Sequence, residues 1–345
     1  MGSEMCIRDR PPFAGLDETE IADPRELVAS IREGAMAITG IAPKASVVVD
    51  GKGRLRLSHL LADIRLVANP QAEGGGWTIM LGGTEASTSI YATMSSREAA
   101  AEVLKLLRKL AELGPNARGR DLAAGLPRST MFPSSASPFG LHTLADGQSA
   151  AGVGLPFGQI SAERLHELCL RAISLGIAFA QPAIEHSVLF LGAPRSCRDL
   201  LDFAGQKDFL IAPFDPRGAI AVCSGSPACA SAAVATHGLA ADVVSEFGNL
   251  LDGSFKLHIA GCPKGCAHPQ PSPLALCGTA AGLSFISGRT ADSPFHTITR
   301  HEIETTLRQL AAFIRREKRD EETSAACLSR LGSDALAANL TSGHP

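Results

Sequence analysis

The spacing of apolar residues predicts helices and strands in the first third of the chain. Apolar positions recur at helical spacing over 23–36, behind an Asp and a Pro suited to a helix start. The segment 97–113 is a stronger amphipathic helix that ends at Gly114-Pro115. Between these helices the pattern predicts strands at 45–49, 54–57, 62–67 and 77–81, the first two forming a hairpin. These elements make one α+β unit.

A compact alternation of strands and helices occupies the middle of the chain. It is preceded by residues 126–148, which are rich in Pro, Gly, Ser, Thr and Ala without sustained periodicity and predict a linker. The order of strand, helix, strand, helix and strand then suits a ferredoxin-like half-domain. Its elements are predicted at 152–157, 161–176, 185–191, 195–204 and 209–211.

The last third has a second α+β pattern and an Ala/Ser/Gly-rich end. We expect the last 20 or so residues to be loosely ordered, because they show no clear contribution to a core. Helices are predicted at 229–236, 239–250 and 299–320, and strands at 256–260, 274–276 and 283–286.

The predicted fold class is α+β, with a ferredoxin-like half-domain between two larger α+β domains. A length of 345 residues agrees with two or three domains. The first ten residues match poorly with the rest of the chain, and we expect them to be a non-native segment. The expected divisions are 1–10 non-native, 11–125 first α+β domain, 126–148 linker, 149–214 half-domain, 215–320 second α+β domain and 321–345 flexible tail.

Charge and composition narrow the classes of function. The formal net charge is −3, from 32 Lys and Arg against 35 Asp and Glu, which gives no support for nucleic-acid or membrane-surface binding. No apolar run approaches the ~18 residues of a membrane span, and no secretory signal is visible. We therefore expect a soluble, cytoplasmic protein. Nine cysteines, an odd number, favour a metal or redox centre over a disulfide framework.

Four of the cysteines form two close pairs. Cys223 and Cys229 enclose five residues, and Cys262 and Cys266 enclose three. The five-residue gap argues against a zinc knuckle, and the spacing differs from the cysteine run of bacterial ferredoxins. Four thiolates on two loops still suit an iron–sulfur cubane, and Gly and Pro beside both pairs let the backbone come close. The alternative is that the pairs are incidental cysteines in Ala/Gly-rich turns.

Cys229, in the first pair, is predicted at a helix start, where the helix dipole favours a thiolate. The cysteines outside the two pairs have simpler interpretations. Cys6 is excluded from the functional reasoning because it lies in the non-native segment. Packing roles are expected for the remaining four cysteines, which are Cys169, Cys197, Cys277 and Cys327.

These motifs resemble the cluster signature of the siroheme sulfite and nitrite reductase family. The sequences CSGSPACA from Cys223 and HIAGCPKGCAHP from His258 are most similar to its precorrin-3B synthase branch. The resemblance implies a pseudo-duplicated chain of two half-domains and two larger domains. Only three of these four parts are visible, so the amino-terminal half-domain is expected to be missing. Supporting similarities are FAGLD from Phe13, VVVDG from Val47, ADIR from Ala62 and LPFG from Leu155.

The resemblance implies an activity and its cofactors. The expected reaction is O2- and NADH-dependent monooxygenation of precorrin-3A at C-20, with γ-lactone formation, in aerobic cobalamin biosynthesis. It implies a 4Fe-4S cluster on the four paired cysteines and a mononuclear non-haem iron. An electron-donating reductase or a ferredoxin is a possible partner. The alternatives are a siroheme-dependent sulfite or nitrite reductase, in which Cys266 bridges the cluster to the haem-like siroheme, and a non-catalytic zinc- or cluster-binding module.

Three residues are candidates for catalysis. Lys44 lies where the reductases keep an active-site lysine, although it could equally be a solvated lysine before a strand. Lys264 could face the substrate or offset the negative cluster. His268 is a candidate substrate contact or iron ligand, whereas His258 is more simply a structural histidine. Arg65 and Arg289 could bind substrate carboxylates.

Overall fold

The computed structural model describes residues 6–7, 10–71, 75–131 and 135–341. Its contacts divide the chain into two compact units. The first contains Met1–Pro138, His142–Ala150 and Gln181–Ile184, and the second contains Phe139–Leu141, Ala151–Ala180 and Glu185–Pro345. Within the described ranges, no helix is both long and apolar enough to cross a membrane. Most of the segment expected to be non-native lies outside the described residues, and the expected domain boundaries stay predictions.

A mixed five-stranded sheet and two helices build the first unit. Strands β1 to β3 run parallel, and β4 and β5 are antiparallel. Helix α2 begins with a capping box between Ser95 and Glu98, and its apolar stripe packs with that of α1 onto one face of the sheet. The elements are β1 (Cys6–Ile7), α1 (Arg25–Ala35), β2 (Ser46–Asp50), β3 (Ile64–Asn69), β4 (Gly76–Leu81), β5 (Ser89–Ser95) and α2 (Ser96–Leu113).

The predicted hairpin between 45–49 and 54–57 is wrong, because β2 pairs in parallel with β3 instead. Side chains take up the backbone donors of the segment 54–57. The N–H of Arg54 donates to Asp17 Oδ2 at 2.6 Å, and that of Leu57 donates to Asp50 Oδ2 at 3.2 Å. The segment is therefore a loop held by buried carboxylates rather than a strand in a ladder.

A four-stranded sheet in the order β6-β7-β9-β8 follows, with a core formed by helices α3 and α4. Strand β6 lies within residues 126–148, which were predicted to be a linker, and the sequence pattern predicted no strand at the position of β8. The strand expected at 209–211 is an isolated bridge between Gly154 and Leu210. The elements are β6 (Gly140–Thr143), β7 (Ser149–Gly154), α3 (Ala162–Ser174), β8 (Phe179–Ala183), β9 (Ser187–Gly192) and α4 (Pro194–Gln206).

The last sheet has five strands in sequence order, and three helices share its core. Strands β10, β11 and β12 are parallel neighbours, and β13 and β14 are antiparallel. Leu257, Ile259, Leu274 and Leu276 point into the core shared with the helices. The elements are β10 (Ile220–Val222), α5 (Thr236–Phe247), β11 (Leu257–Ala260), β12 (Ser272–Thr279), β13 (Gly282–Gly288), β14 (His296–Ile298), α6 (Ile303–Glu317) and α7 (Ser324–Thr341).

The structure corrects two expectations in this part of the chain. Residues 229–235 form turns and bends, so the helix expected at 229–236 is wrong, and α5, which begins at Thr236, corresponds to the helix expected at 239–250. The tail expected to be loosely ordered contains α7, whose Cys327, Leu328 and Leu336 are buried in the core. Small residues between these positions weaken the helical pattern in the sequence, and α7 is kinked at Gly332, but apolar side chains on both sides of the kink are buried. Residues 342–345 lie outside the described part.

Candidate metal centre

The four paired cysteines lie on loops that leave neighbouring parallel strands at the same edge of the sheet. Cys223 follows β10 directly, and Cys262 follows β11 after Gly261. The N–H of Cys223 donates to the carbonyl of Ile259 at 3.2 Å, which extends the pairing of the strands. The N–H of Gly261 donates to Cys223 Sγ at 3.1 Å. The fold therefore joins the two cysteine loops at their origin.

The loop between Cys223 and Cys229 is a tight turn held by Thr236. Thr236 Oγ1 donates to the carbonyl of Cys223 at 2.6 Å. Gly225 has φ +60°, and a Cβ on it would lie 2.2 Å from Thr236 Oγ1. The N–H of Cys229 returns to the carbonyl of Gly225 at 2.7 Å. The expected helix-dipole effect at Cys229 is wrong, because Cys229 lies in this turn and not at a helix start.

The loop between Cys262 and Cys266 contacts the first loop closely. A Cβ on Gly261 would lie 2.5 Å from the Cβ of Ala232. Lys264 Nζ donates to Ser231 Oγ at 3.0 Å and so connects the two loops. Thr290 Oγ1 donates to the carbonyl of Pro263 at 3.1 Å. The loop is thus fixed from both sides, while Cys266 is exposed and Cys262 is half-buried.

Two histidines lie beside the second loop. His258 is fully buried in β11, and its ring centroid is 5.8 Å from that of His268 in an edge-to-face arrangement. Burial, with a smaller contribution from His268, lowers the pKa of His258 to about 4. Burial and the charge of Lys256 lower the pKa of His268. His258 is therefore neutral at pH 7, and the neutral form of His268 is favoured there.

Comparison with known proteins decides the family. No family model matches the chain. A precorrin-3B synthase from Sinorhizobium sp is 35% identical over 348 aligned positions, which cover 96% of this chain and 76% of that protein. The chain belongs to the precorrin-3B synthase family. Membership of this family makes it an enzyme, an oxidoreductase of the monooxygenase type.

More distant matches place the precorrin-3B synthase family beside the nitrite and sulfite reductases. A ferredoxin–nitrite reductase from Synechococcus elongatus is 24% identical, with coverage of 77% of this chain and 60% of that protein. The chloroplastic enzyme of Spinacia oleracea is 22% identical, and 53% of its length is covered. The structure of the Mycobacterium tuberculosis NirA protein matches with a TM-score of 0.69 at 16% identity, covering 95% of this chain and 70% of that one. The expected nitrite/sulfite reductase-like α+β fold is confirmed.

The other predicted site residues lie in different surroundings. Lys44 belongs to the first unit, where it is an exposed turn residue whose carbonyl accepts a hydrogen bond from Arg118. Arg65 is buried and donates from Nη1 to the carbonyl of Leu57 at 3.0 Å, so it is engaged in the fold rather than open to a substrate carboxylate. Arg289 is exposed at the end of β13.

Two side chains that shape the site were not predicted from the sequence. Thr236 and Ser231 hold the cysteine loops, and only their position just after Cys229 could have indicated this role. Cys277 is buried, as expected, and burial raises the pKa of its thiol to about 11, with the charges of Cys262 and Cys223 adding to the effect. The strand register also places it beside Ala260, next to the cysteine loops.

Proposed function

We propose that the chain is a cytoplasmic enzyme that catalyses the O2- and NADH-dependent monooxygenation of precorrin-3A at C-20, with γ-lactone formation, in aerobic cobalamin biosynthesis. One oxygen atom enters the substrate, and the other leaves as water with two electrons from NADH. Similarity to the Sinorhizobium precorrin-3B synthase over 96% of the chain is the observation that carries the proposal. An electron-donating reductase or a ferredoxin would connect NADH to the site.

A 4Fe-4S cluster held by Cys223, Cys229, Cys262 and Cys266 fits the two loops. All four donors are thiols, the ligand type of such clusters. A Cβ on Gly225 would collide with Thr236, and a Cβ on Gly261 would collide with Ala232, so the backbone packs closely around both cysteine loops at these glycines. Among the described residues, no three Cys, His, Asp or Glu side chains are grouped around one ion. A cubane binds each thiolate through a different iron and needs a wider cradle than a single ion. When bound, the cluster supplies single electrons.

The residues around the loops contribute charge and proton chemistry. Lys264 is exposed and joins the loops through Ser231, so its ammonium offsets the negative charge of a thiolate-ligated cluster. Lysine ammonium groups also suit a tetrapyrrole substrate that carries several carboxylates. Lys44 is proposed to contact the substrate on the resemblance alone. His268 is half-buried two residues after Cys266, and its imidazole suits proton transfer or binding of the mononuclear non-haem iron.

The second candidate function is siroheme-dependent nitrite or sulfite reduction, which the two nitrite reductase matches favour at 24% and 22% identity. An absorption spectrum of anaerobically purified protein separates the two functions. The proposed function predicts broad iron–sulfur absorption without an intense Soret band. A Soret band with a red band, from an extractable tetrapyrrole, would favour the reductase. One zinc with neither iron nor acid-labile sulfide would favour a zinc-binding module.

Variants of single cysteines test the ligand set. Each of Cys223→Ser, Cys229→Ser, Cys262→Ser and Cys266→Ser is expected to lose most of the iron and acid-labile sulfide. Cys169→Ser is the matched control, because Cys169 is a half-buried cysteine in α3 outside the two loops. Full iron and sulfide in one of the four variants would remove that residue from the ligand set.

A further inference from the structure

The buried imidazole of His258 lies against the loop between Cys262 and Cys266. The ring is fully buried, and neither Nδ1 nor Nε2 has a hydrogen-bond partner. Its Cε1 atom is 3.6 Å from the position that a Cβ on Gly265 would occupy. Gly265 has φ +62° and lies in the turn between Cys262 and Cys266. The imidazole is therefore adjacent to the backbone that connects the third and fourth cysteines.

Strand register puts His258 on the same face of the sheet as the start of the first cysteine loop. His258 pairs with Ala221 on one side and with Ala275 on the other. Paired residues of parallel strands point to the same side, opposite to Leu257 and Ile259, which enter the helical core. Both paired neighbours are alanines, so neither adjacent strand puts a long side chain directly beside the ring.

A neutral imidazole has one N–H donor and one acceptor nitrogen. A buried donor without a partner is costly, and such groups are rare in folded proteins unless a water, an ion or a ligand satisfies them. His268 presents only a ring contact at 5.8 Å between centroids. An acceptor that binds at this face would satisfy the donor. The thiolates and sulfides of an anionic cluster are such acceptors.

We propose that His258 donates its ring N–H to a sulfur atom of the cluster bound by the four cysteines, and that this hydrogen bond raises the reduction potential of the cluster. The inference rests on the proposed function, because it requires the cluster. Hydrogen bonds to cluster sulfurs favour the reduced state, which carries one more negative charge. His258 is thus a positioning and tuning residue rather than a catalytic one.

The midpoint potential of the cluster in the full chain tests the role of His258. His258→Leu removes the donor and is expected to shift the one-electron equilibrium at least tenfold toward the oxidised state, a decrease of about 59 mV. His258→Gln keeps an N–H donor and is expected to recover part of the shift. His166→Leu, at an exposed histidine of α3, is the control and should keep the wild-type potential. A wild-type potential in His258→Leu would overturn the inference.

A second measurement keeps His258 in place, in case His258→Leu does not retain the cluster. Pulsed EPR of the reduced cluster in protein labelled with ¹⁵N-histidine should show a ¹⁵N coupling that persists in His268→Gln. Absence of any histidine coupling in the wild type would overturn the inference while leaving the cluster in place. A wild-type protein that binds neither iron nor sulfide under reconstitution would instead overturn the proposed function, and this inference with it.

Discussion

The amide of Gly261 donates a hydrogen bond to the Sγ atom of Cys223 at 3.1 Å. This contact joins the loop after β11 to the loop after β10, and it directs a backbone dipole at a candidate ligand sulfur. Hydrogen bonds from backbone N–H groups stabilise thiolates and tune the potential of iron–sulfur clusters. This hydrogen bond depends on glycine at position 261, because a Cβ there would lie 2.5 Å from the Cβ of Ala232.

Gly261→Ala is expected to open the two loops and lower the iron and sulfide content of reconstituted protein by at least half. The new Cβ would lie 2.5 Å from the Cβ of Ala232, so one loop must move. Gly238→Ala in α5 is the matched control, because nothing lies within 4 Å of its added Cβ. That control should keep the cluster and gain up to about 1 kcal/mol from helix propensity. Equal iron content in both variants would contradict the packing argument.

Thr236→Val is expected to weaken the first cysteine loop. The change keeps the shape of the side chain but removes the hydroxyl that donates to the carbonyl of Cys223 at 2.6 Å. The loss should lower the free energy of unfolding by about 0.5–1.5 kcal/mol. Urea denaturation of the apo chain measures it, and Thr236→Ser, which retains the donor, should remain closer to the wild type. If the valine and serine variants unfold alike, the hydroxyl does not support this loop.

Leu336→Ala tests whether the end of the chain is part of the core. Leu336 in α7 is fully buried, so its truncation should cost about 2–5 kcal/mol. Ser329→Ala, at an exposed position of α7 before its kink at Gly332, should change the unfolding free energy by no more than about 0.5 kcal/mol. Guanidinium denaturation measures the unfolding free energy of both variants. If the end of the chain is loosely ordered, neither substitution will lower that free energy by more than about 0.5 kcal/mol.

Glu20 is expected to make the stability of the first unit depend on pH. Burial, assisted by the charges of Asp23, Asp17 and Asp50, raises the pKa of Glu20 from 4.5 to about 7, although the N–H of Gly15 partly opposes this. The raised pKa means that the folded state holds the proton more tightly than the unfolded state. The resulting stability is complete below about pH 4.5 and is lost as the pH rises through about 7.

Glu20→Gln removes this titration and keeps an acceptor for the N–H of Gly15. The wild type should therefore lose more stability than Glu20→Gln between about pH 5 and about pH 8. Urea denaturation at these two pH values measures the difference. Parallel losses in the two proteins would show that Glu20 does not carry the pH dependence.

The sequence predicted the cysteine pairs because their chemistry and spacing are local. It could not predict how the loops meet, because that depends on β10 and β11 being parallel neighbours, which joins residues far apart in the chain. The hydrogen bond from Lys264 to Ser231 follows from this pairing. The sequence likewise could not show that both ring nitrogens of His258 lack a hydrogen-bond partner, because that depends on which face of β11 is buried.

Strongly periodic segments of the fold were predicted well, and the errors have specific causes. The helix expected at 97–113 is α2, whose apolar stripe and capping-box residues can both be recognised from the sequence. The segment 54–57 has a strand-like alternation, but Asp17 and Asp50 capture its backbone donors. In α7, widely spaced apolar residues among Ala, Ser and Gly gave a weak pattern, yet tertiary packing buries them.

Incubation of the cluster-loaded protein with precorrin-3A, NADH, an electron-transfer reductase and ¹⁸O2 tests the proposed activity most directly. Mass spectrometry of the tetrapyrrole should show a product that carries one ¹⁸O atom. The Cys262→Ser variant should not form it, whereas the Cys169→Ser control should. Cluster-loaded protein that leaves precorrin-3A unchanged, or that yields a product without ¹⁸O, would contradict the assignment as a precorrin-3A monooxygenase.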